Sequence, residues 1–308
     1  MTPEITIAFL NYNTADELLQ GLASVPAAAA GVNARVIVID NGSSDNSLER
    51  IKSCEPIPEI IALPRNTGFA AAFNRLFSYT VTPYYLLLNS DIILPPGCVR
   101  AMLDTIAGIP DAGIAGMALM RENGTSQMSY YPLPTLASEL TNRSLWQRIH
   151  RVEFTDESPG EVPCIIGAVM LVPRNTIDTV GMLDERFFFF MEETDWCKRI
   201  AEAGLKVLHF PGIRVTHLQG RSANVVPVQA RIEFHRSRLI YFEKHYGRIA
   251  KYLLAAGSFI RLLVNWLAYL FLTLFCFGIH EKTRSKFMLY SGLLGWYLLG
   301  CPDRWGLR

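Results

Sequence analysis

Residues 86–97 read LLLNSDIILPPG. An apolar run stops at Asn89-Ser90-Asp91, resumes briefly and ends on Pro-Pro-Gly. A short apolar run closed by turn residues reads as a strand buried on both faces. Acids often sit where such a strand meets a loop, so Asp91 alone points to no chemistry. Its surroundings decide. Residues 5–10, 35–39 and 59–63 are three more short apolar runs, and 84–88 is the fourth. Helix signals lie between them. Thr14 with Glu17 has the spacing of a capping box for a helix to about Val25, Asp45 would cap the next, and 69–79 is a third. This alternation predicts an α/β fold, a mostly parallel central sheet flanked by helices and joined by right-handed crossovers. Ligands of such sheets bind beyond the carboxyl ends of the strands. Asn11-Tyr12, Asp40 and Asn89–Asp91 each follow a strand directly, so they should meet along one edge of one crevice.

The chain has 308 residues, half of them hydrophobic. That suffices for one domain of about 250 residues with an appendage. A formal net charge of +1 supplies no strong field, and no nucleic-acid partner is expected. Six cysteines are scattered without zinc-type spacing, as in a reduced, cytosolic protein. The N-terminus carries no basic flank and no cleavage site, so no signal peptide is expected. No G-x-G-x-x-G or Walker lysine loop follows the first strand, which removes support for dinucleotide and P-loop readings.

Beyond residue 112 the rhythm loosens. Residues 112–120 and 164–172 read as strands, 127–163 as irregular, 194–203 as a helix ending at Gly204, and 228–246 as a polar helix. Residues 262–279 hold 18 positions without a formal charge, and 287–300 form a second such stretch. Eighteen is the short end for spanning a bilayer, and the second stretch is too short to span. Trp266, Tyr269, Trp296 and Tyr297 suit a membrane interface. Helices lying in or dipping into one leaflet are expected, with a soluble helical hairpin as the alternative.

A leaving diphosphate concentrates negative charge, which a divalent ion on hard oxygen ligands can neutralise. Asp91 offers a carboxylate at a strand end, Asn89 a carbonyl oxygen, and His217 in VTHLQGRS an imidazole that would favour manganese somewhat over magnesium.

Taken in order, IAFLNYN, VIDNGSSD, RNTGFAAAFN, LLLNSD, GAVMLVPR, FFFFMEETDWCKR and VTHLQGRS resemble the family 2 inverting glycosyltransferases of GT-A (Rossmann-like) fold, within their rhamnosyltransferase-like group. The resemblance covers residues 4 to about 245. It implies that Leu10, Asn11, Tyr12 and Asp40 hold the nucleobase, and that Arg65, Asn66, Gly68 and Asn74 shape the nucleotide pocket. Asn89-Ser90-Asp91 stands at the metal-binding DXD position with Asn for its first Asp. Arg221 and Ser222 would meet the diphosphate. Glu193 falls where the family carries its general base, as Glu rather than Asp, and crowding of Glu192, Glu193 and Asp195 should raise at least one of their pKa values. Gly167, Ala168, Glu192, Asp195 and Trp196 would line the acceptor side.

The expected organisation is a transferase domain over 1–247, with a donor half (1–111) and an acceptor half (112–247), followed by an apolar, membrane-associating helical tail over 248–308. The implied reaction passes a sugar, by analogy L-rhamnose from dTDP-L-rhamnose, to a hydroxyl of a lipid-linked glycan. It would use Mn2+ or Mg2+ at the cytoplasmic face of the plasma membrane. A UDP-sugar donor, or a degenerate nucleotide- or glycan-binding protein without turnover, are the other readings. A nucleotidyltransferase is disfavoured because LNYNTADE lacks a Gly-rich basic loop.

Overall fold

The structure is a computed structural model that describes residues 2–141, 143–150, 152–218, 227–275 and 280–307. In chain order its elements begin β1 (Ile5–Asn11), α1 (Ala15–Ala28), β2 (Ala34–Asp40), α2 (Ser47–Ile51), β3 (Glu59–Ala62) and α3 (Phe69–Tyr79). Next come β4 (Tyr84–Asn89), β5 (Ile92–Ile93), α4 (Cys98–Ala107), β6 (Ala112–Met120), α5 (Leu136–Leu140) and α6 (Arg143–Ile149). Then follow β7 (Gly160–Glu161), β8 (Val169–Pro173), α7 (Arg174–Val180), α8 (Glu192–Glu202), β9 (Lys206–His217), α9 (Pro227–Phe275) and α10 (Glu281–Leu298).

The chain packs as two units. The first takes residues 1–133, 147–185 and 192–222 and holds one sheet in the order β3-β2-β1-β4-β8-β6-β9-β5, with β7 pairing β9. The pairs β1/β2, β1/β4, β2/β3 and β6/β9 are parallel. β8 runs antiparallel between β4 and β6. Ile7, Ala8 and Phe9 of β1 and Tyr85, Leu86, Leu87 and Leu88 of β4 are completely buried, the continuous runs that a sheet covered on both faces requires. α3 buries Phe69, Ala72, Phe73, Leu76 and Phe77, one stripe at helical spacing.

Two local expectations fail for tertiary reasons. Thr14 is the N-cap of α1 but makes no side-chain cap bond. Its hydroxyl donates instead to Asn11 Oδ1 at 2.9 Å and lies 2.7 Å from Ser90 Oγ. Of residues 164–172 only the last four are strand; 164–168 lead into it, with Tyr131 N–H donating to the Cys164 carbonyl and Ile166 N–H to that of Ser129.

The second unit takes residues 134–146, 186–191 and 223–308. Residues 227–246 therefore pack with the tail, unlike the expected division at 247. Gly247 (φ 85°, ψ 174°) breaks α9 there, a backbone conformation that a side chain would disfavour. Tyr241, Phe242, Leu254, Leu262, Leu293 and Trp296 form its core. Arg238 pairs with Glu139, both buried, and Arg261 Nη2 donates to the Glu139 carbonyl at 2.9 Å. Away from that core, Ile249, Ile260, Val264, Phe271 and Phe275 are 60–77% exposed. The helical stretch over 228–275, interrupted at Gly247, is long and apolar enough to cross a membrane by length and composition, and only 11% of its most apolar part is buried.

Candidate active site

Parallel register aligns Leu10 with Asn89 and Asn11 with Asp40, so the strand ends named from the sequence do share one edge. Asn11 Nδ2 donates to Asp40 Oδ1 at 2.8 Å and to Ser43 Oγ at 3.1 Å, and Ser43 N–H donates to Asp40 Oδ2 at 3.1 Å. A carboxylate only 1% exposed is tolerable because it is bonded. With about four lone-pair sites it keeps acceptor capacity for a ligand N–H. Tyr12 beside it is 39% exposed, a ring able to stack on a base.

Two neighbours carry more of this edge than their sequence positions suggested. Asn41, 3% exposed, receives Thr67 N–H and Oγ1 on its Oδ1 and donates from Nδ2 to Asn66 Oδ1 and the Gly68 carbonyl. Gly42 has φ +74°, and a Cβ there would stand 2.4 Å from the Arg65 backbone carbon. Asn41 and Gly42 thus dock the 65–68 loop against the end of β2. Arg65 is exposed at its surface, Asn66 accepts from Gly68 N–H, and Gly68 caps α3. Gly42→Ala should lower stability by more than ~1 kcal/mol, from the left-handed backbone plus the clash. A depressed thermal midpoint together with weakened nucleotide binding checks it.

Asn89 N–H donates to the Ala168 carbonyl at 3.0 Å. Asp91, 5% exposed, puts Oδ2 3.4 Å from His217 Nε2. The pairing of β5 with β9 opposes Ile92 and His217, and Leu218 N–H donates to the Asp91 carbonyl. An open cavity of about 420 Å³ borders His217. The two expected ligands therefore meet. Cis ligands about 2.1 Å from an octahedral ion stand roughly 3 Å apart, so the pair fits one divalent ion. Among the described residues no group of three His, Cys, Asp or Glu is arranged to hold a metal ion. Substrate oxygens and water would have to complete the shell, the usual arrangement for Mg2+-type sites on phosphates.

The acid-rich turn opens α8, two residues earlier than expected. Glu192 is 4% exposed and Asp195 fully buried, whereas Glu193 is half-buried and keeps contact with solvent. Tyr131 Oη donates to Glu193 Oε1 at 2.8 Å and lies 2.7 Å from Thr194 Oγ1. Burial, then Cys164 and Glu193 nearby, push the Tyr131 phenol well above its ordinary pKa, so it remains a donor. A Cβ on Gly167 would approach Glu193 Cβ to 3.3 Å. Gly167 abuts the acid while the next residue, Ala168, accepts from Asn89. Phe190 and Met191, just before the turn, have φ of 70° and 72°. Consecutive left-handed residues that are not glycine cost energy and cluster at functional sites.

Other expected site residues serve the framework. Asp195 Oδ2 accepts from Arg199 Nε at 2.9 Å, and Arg199 also donates to the Val180 and Met182 carbonyls. Arg199 thus offsets the charge of the buried Asp195. Trp196 has no exposed surface and donates from Nε1 to the Gly181 carbonyl. Asn74 is spent on the backbone of Leu183 and on Glu185. Asp195, Trp196 and Asn74 are thus buried and bonded to protein partners. Arg221 and Ser222 lie outside the described residues. Asn41, Gly42, Gln127 and Tyr131 were missed; only the first two lay inside a recognised motif.

A family model described as "Glycosyl transferase family 2" matches residues 6–181. The N-acetylglucosaminyl-diphospho-decaprenol L-rhamnosyltransferase of Mycobacterium tuberculosis is 26% identical over 267 residues, covering 80% of this chain and 87% of that protein. The dTDP-rhamnosyl transferase RfbF of Shigella flexneri is 25% identical over 191 residues, 61% of each chain. Among solved structures, the mannosyltransferase PcManGT of Pyrobaculum calidifontis in complex with GDP-Man and Mn2+ superposes with a TM-score of 0.54 at 12% identity, covering 99% of this chain and 88% of that one. GalNAc-T7 with UDP, GalNAc and Mn2+ gives 0.55 at 16% identity over 83% of this chain and 55% of that one. At such identities the likeness is one of fold.

Proposed function

Since the chain belongs to glycosyl transferase family 2, and is therefore a glycosyltransferase, we propose that it moves L-rhamnose from dTDP-L-rhamnose to a hydroxyl of a lipid-linked glycan. The activities of the mycobacterial and Shigella relatives support the sugar, the nucleotide and the lipid carrier. The observation that carries the mechanism is Glu193, the one acid of its turn with solvent access, oriented by Tyr131 and faced by Gly167.

Inversion is a single displacement. The acceptor oxygen forms a bond to the anomeric carbon as the bond from that carbon to the diphosphate oxygen breaks. The hydroxyl proton passes to Glu193, and the electron pair of the broken bond leaves on dTDP. The Tyr131 hydrogen bond fixes the carboxylate and leaves it lone pairs for the proton. Asp40 and Tyr12 would hold the base, and the 65–68 loop, docked by Asn41 and Gly42, would border the nucleotide. Asp91 and His217 would hold Mn2+ or Mg2+, with Asn89 beside them, and the ion would offset the charge growing on the leaving diphosphate.

The exposed apolar side chains along 249–275 support membrane contact by the second unit. On this reading the enzyme works at the cytoplasmic face of the plasma membrane, where nucleotide sugars and a lipid-borne acceptor can both reach it.

Thermal denaturation with dTDP, UDP, GDP or CMP, each with and without Mn2+, tests the donor. A bound nucleotide at a hundred times its Kd stabilises by roughly 2.7 kcal/mol. The expected result is a Mn2+-dependent shift with dTDP alone. A shift confined to UDP would keep the reaction and change the sugar. No shift with any nucleotide would remove Asp40 and Asp91 from their roles and favour a glycan-binding protein without turnover.

A further inference from the structure

Gln127 is 7% exposed and sits on the return strand of the turn that follows β6, where its N–H donates to the Leu119 carbonyl. Its side chain touches His217 twice. Nε2 donates to the His217 backbone carbonyl at 2.7 Å, and Oε1 lies 3.0 Å from His217 Nδ1. The first contact settles the second. A backbone carbonyl can only accept, so the amide atom facing it is nitrogen. The remaining amide atom is then oxygen, which also only accepts, and His217 Nδ1 must carry the hydrogen. In the neutral ring, which has a single N–H, Nε2 then presents its lone pair. Nε2 is the ring atom 3.4 Å from Asp91 Oδ2.

We propose that Gln127 is a positioning residue that sets the His217 tautomer, so that Nε2 and Asp91 Oδ2 offer two lone pairs to one divalent cation. The inference rests on the metal reading above and adds to it the group that orients the ligand. Imidazole ligands are generally fixed through their other nitrogen, and loss of that partner costs ~10–100-fold in metal affinity. Here the partner is a neutral amide anchored to the same residue's backbone, so ring and strand are held as one piece. Gln127 lies 90 residues from His217 in the chain, and no local motif links them.

The test uses the full-length protein labelled with ¹⁵N at histidine, first without metal. Long-range ¹H–¹⁵N spectra distinguish the two neutral tautomers, with His217→Ala to assign the signal. Mn2+ affinity is read in parallel from the paramagnetic resonance of the free ion. The wild type should show Nδ1–H. Gln127→Met should lose that tautomer and bind Mn2+ roughly ten- to a hundredfold more weakly. A wild-type ring protonated at Nε2 overturns the proposal, and does so even if Gln127→Met fails to fold. Nδ1–H persisting in a folded Gln127→Met, with unchanged Mn2+ affinity, overturns the part given to Gln127 and leaves the metal reading standing. The expected tautomer without any Mn2+ binding overturns the cation half, together with the reading on which it rests.

Discussion

Glu193→Gln should slow transfer by about 10²–10⁴-fold and leave nucleotide binding as it is. The substitution keeps the shape and an oxygen for Tyr131 Oη, so the link from Tyr131 to Thr194 survives. What disappears is a group able to take the acceptor proton while the new bond forms. The nucleotide would contact other elements, the ends of β1 and β2 and the 65–68 loop, so a dTDP-induced thermal shift should persist. Initial transfer rates and that shift, measured on one preparation, separate the outcomes. Transfer near the wild-type rate would end the assignment of Glu193 as base. Loss of both rate and nucleotide binding would mark it as a framework residue. Glu192 is a poor substitute because it is buried.

Asp91→Asn should be nearly as severe by another route. It removes the carboxylate of the cation pair while keeping its volume, and the Asp91 carbonyl that receives Leu218 N–H is unchanged. Stability should move little. Transfer should fall by a hundredfold or more, since a cation stabilises the developing charge by several kcal/mol and each 1.36 kcal/mol is a factor of about ten. The discriminating readout is a Mn2+ titration of the rate: the wild type should rise with metal and the variant should stay flat. A variant that still responds to Mn2+ would place the ion elsewhere.

The edge that gathers Asn11, Asp40 and Asn89–Asp91 was legible because strand period and parallel order carry directly into space. The pairing of Asp91 with His217 was legible only through the ligand chemistry of a divalent ion, since no spacing connects them. Side-chain direction was the weaker part. Along a helix each residue turns about 100°, so Asp195 points roughly opposite to Glu193 and into the framework. Trp196, about 100° beyond Asp195, enters the core. A motif names the turn and not the face. Thr14 shows the opposite error. Its capping-box spacing is real, yet a tertiary partner, Ser90, lies against the hydroxyl that local chemistry would have used. Gln127 and Tyr131 lay in a stretch that reads as irregular, and their roles come from partners distant in sequence.

The place of β8 bears on how the molecule is assembled. This strand is made after residue 168, yet it fills the gap between β4 and β6, pairing Tyr84–Leu88 with Pro173–Val169. Until it emerges from synthesis, β4 carries an open margin with unpaired amides, the kind of edge on which chains aggregate. A fragment ending near residue 111 would keep that margin permanently. The sheet begun by residues 1–111 is thus completed by a strand from beyond residue 111, and the first stretch does not close its own sheet.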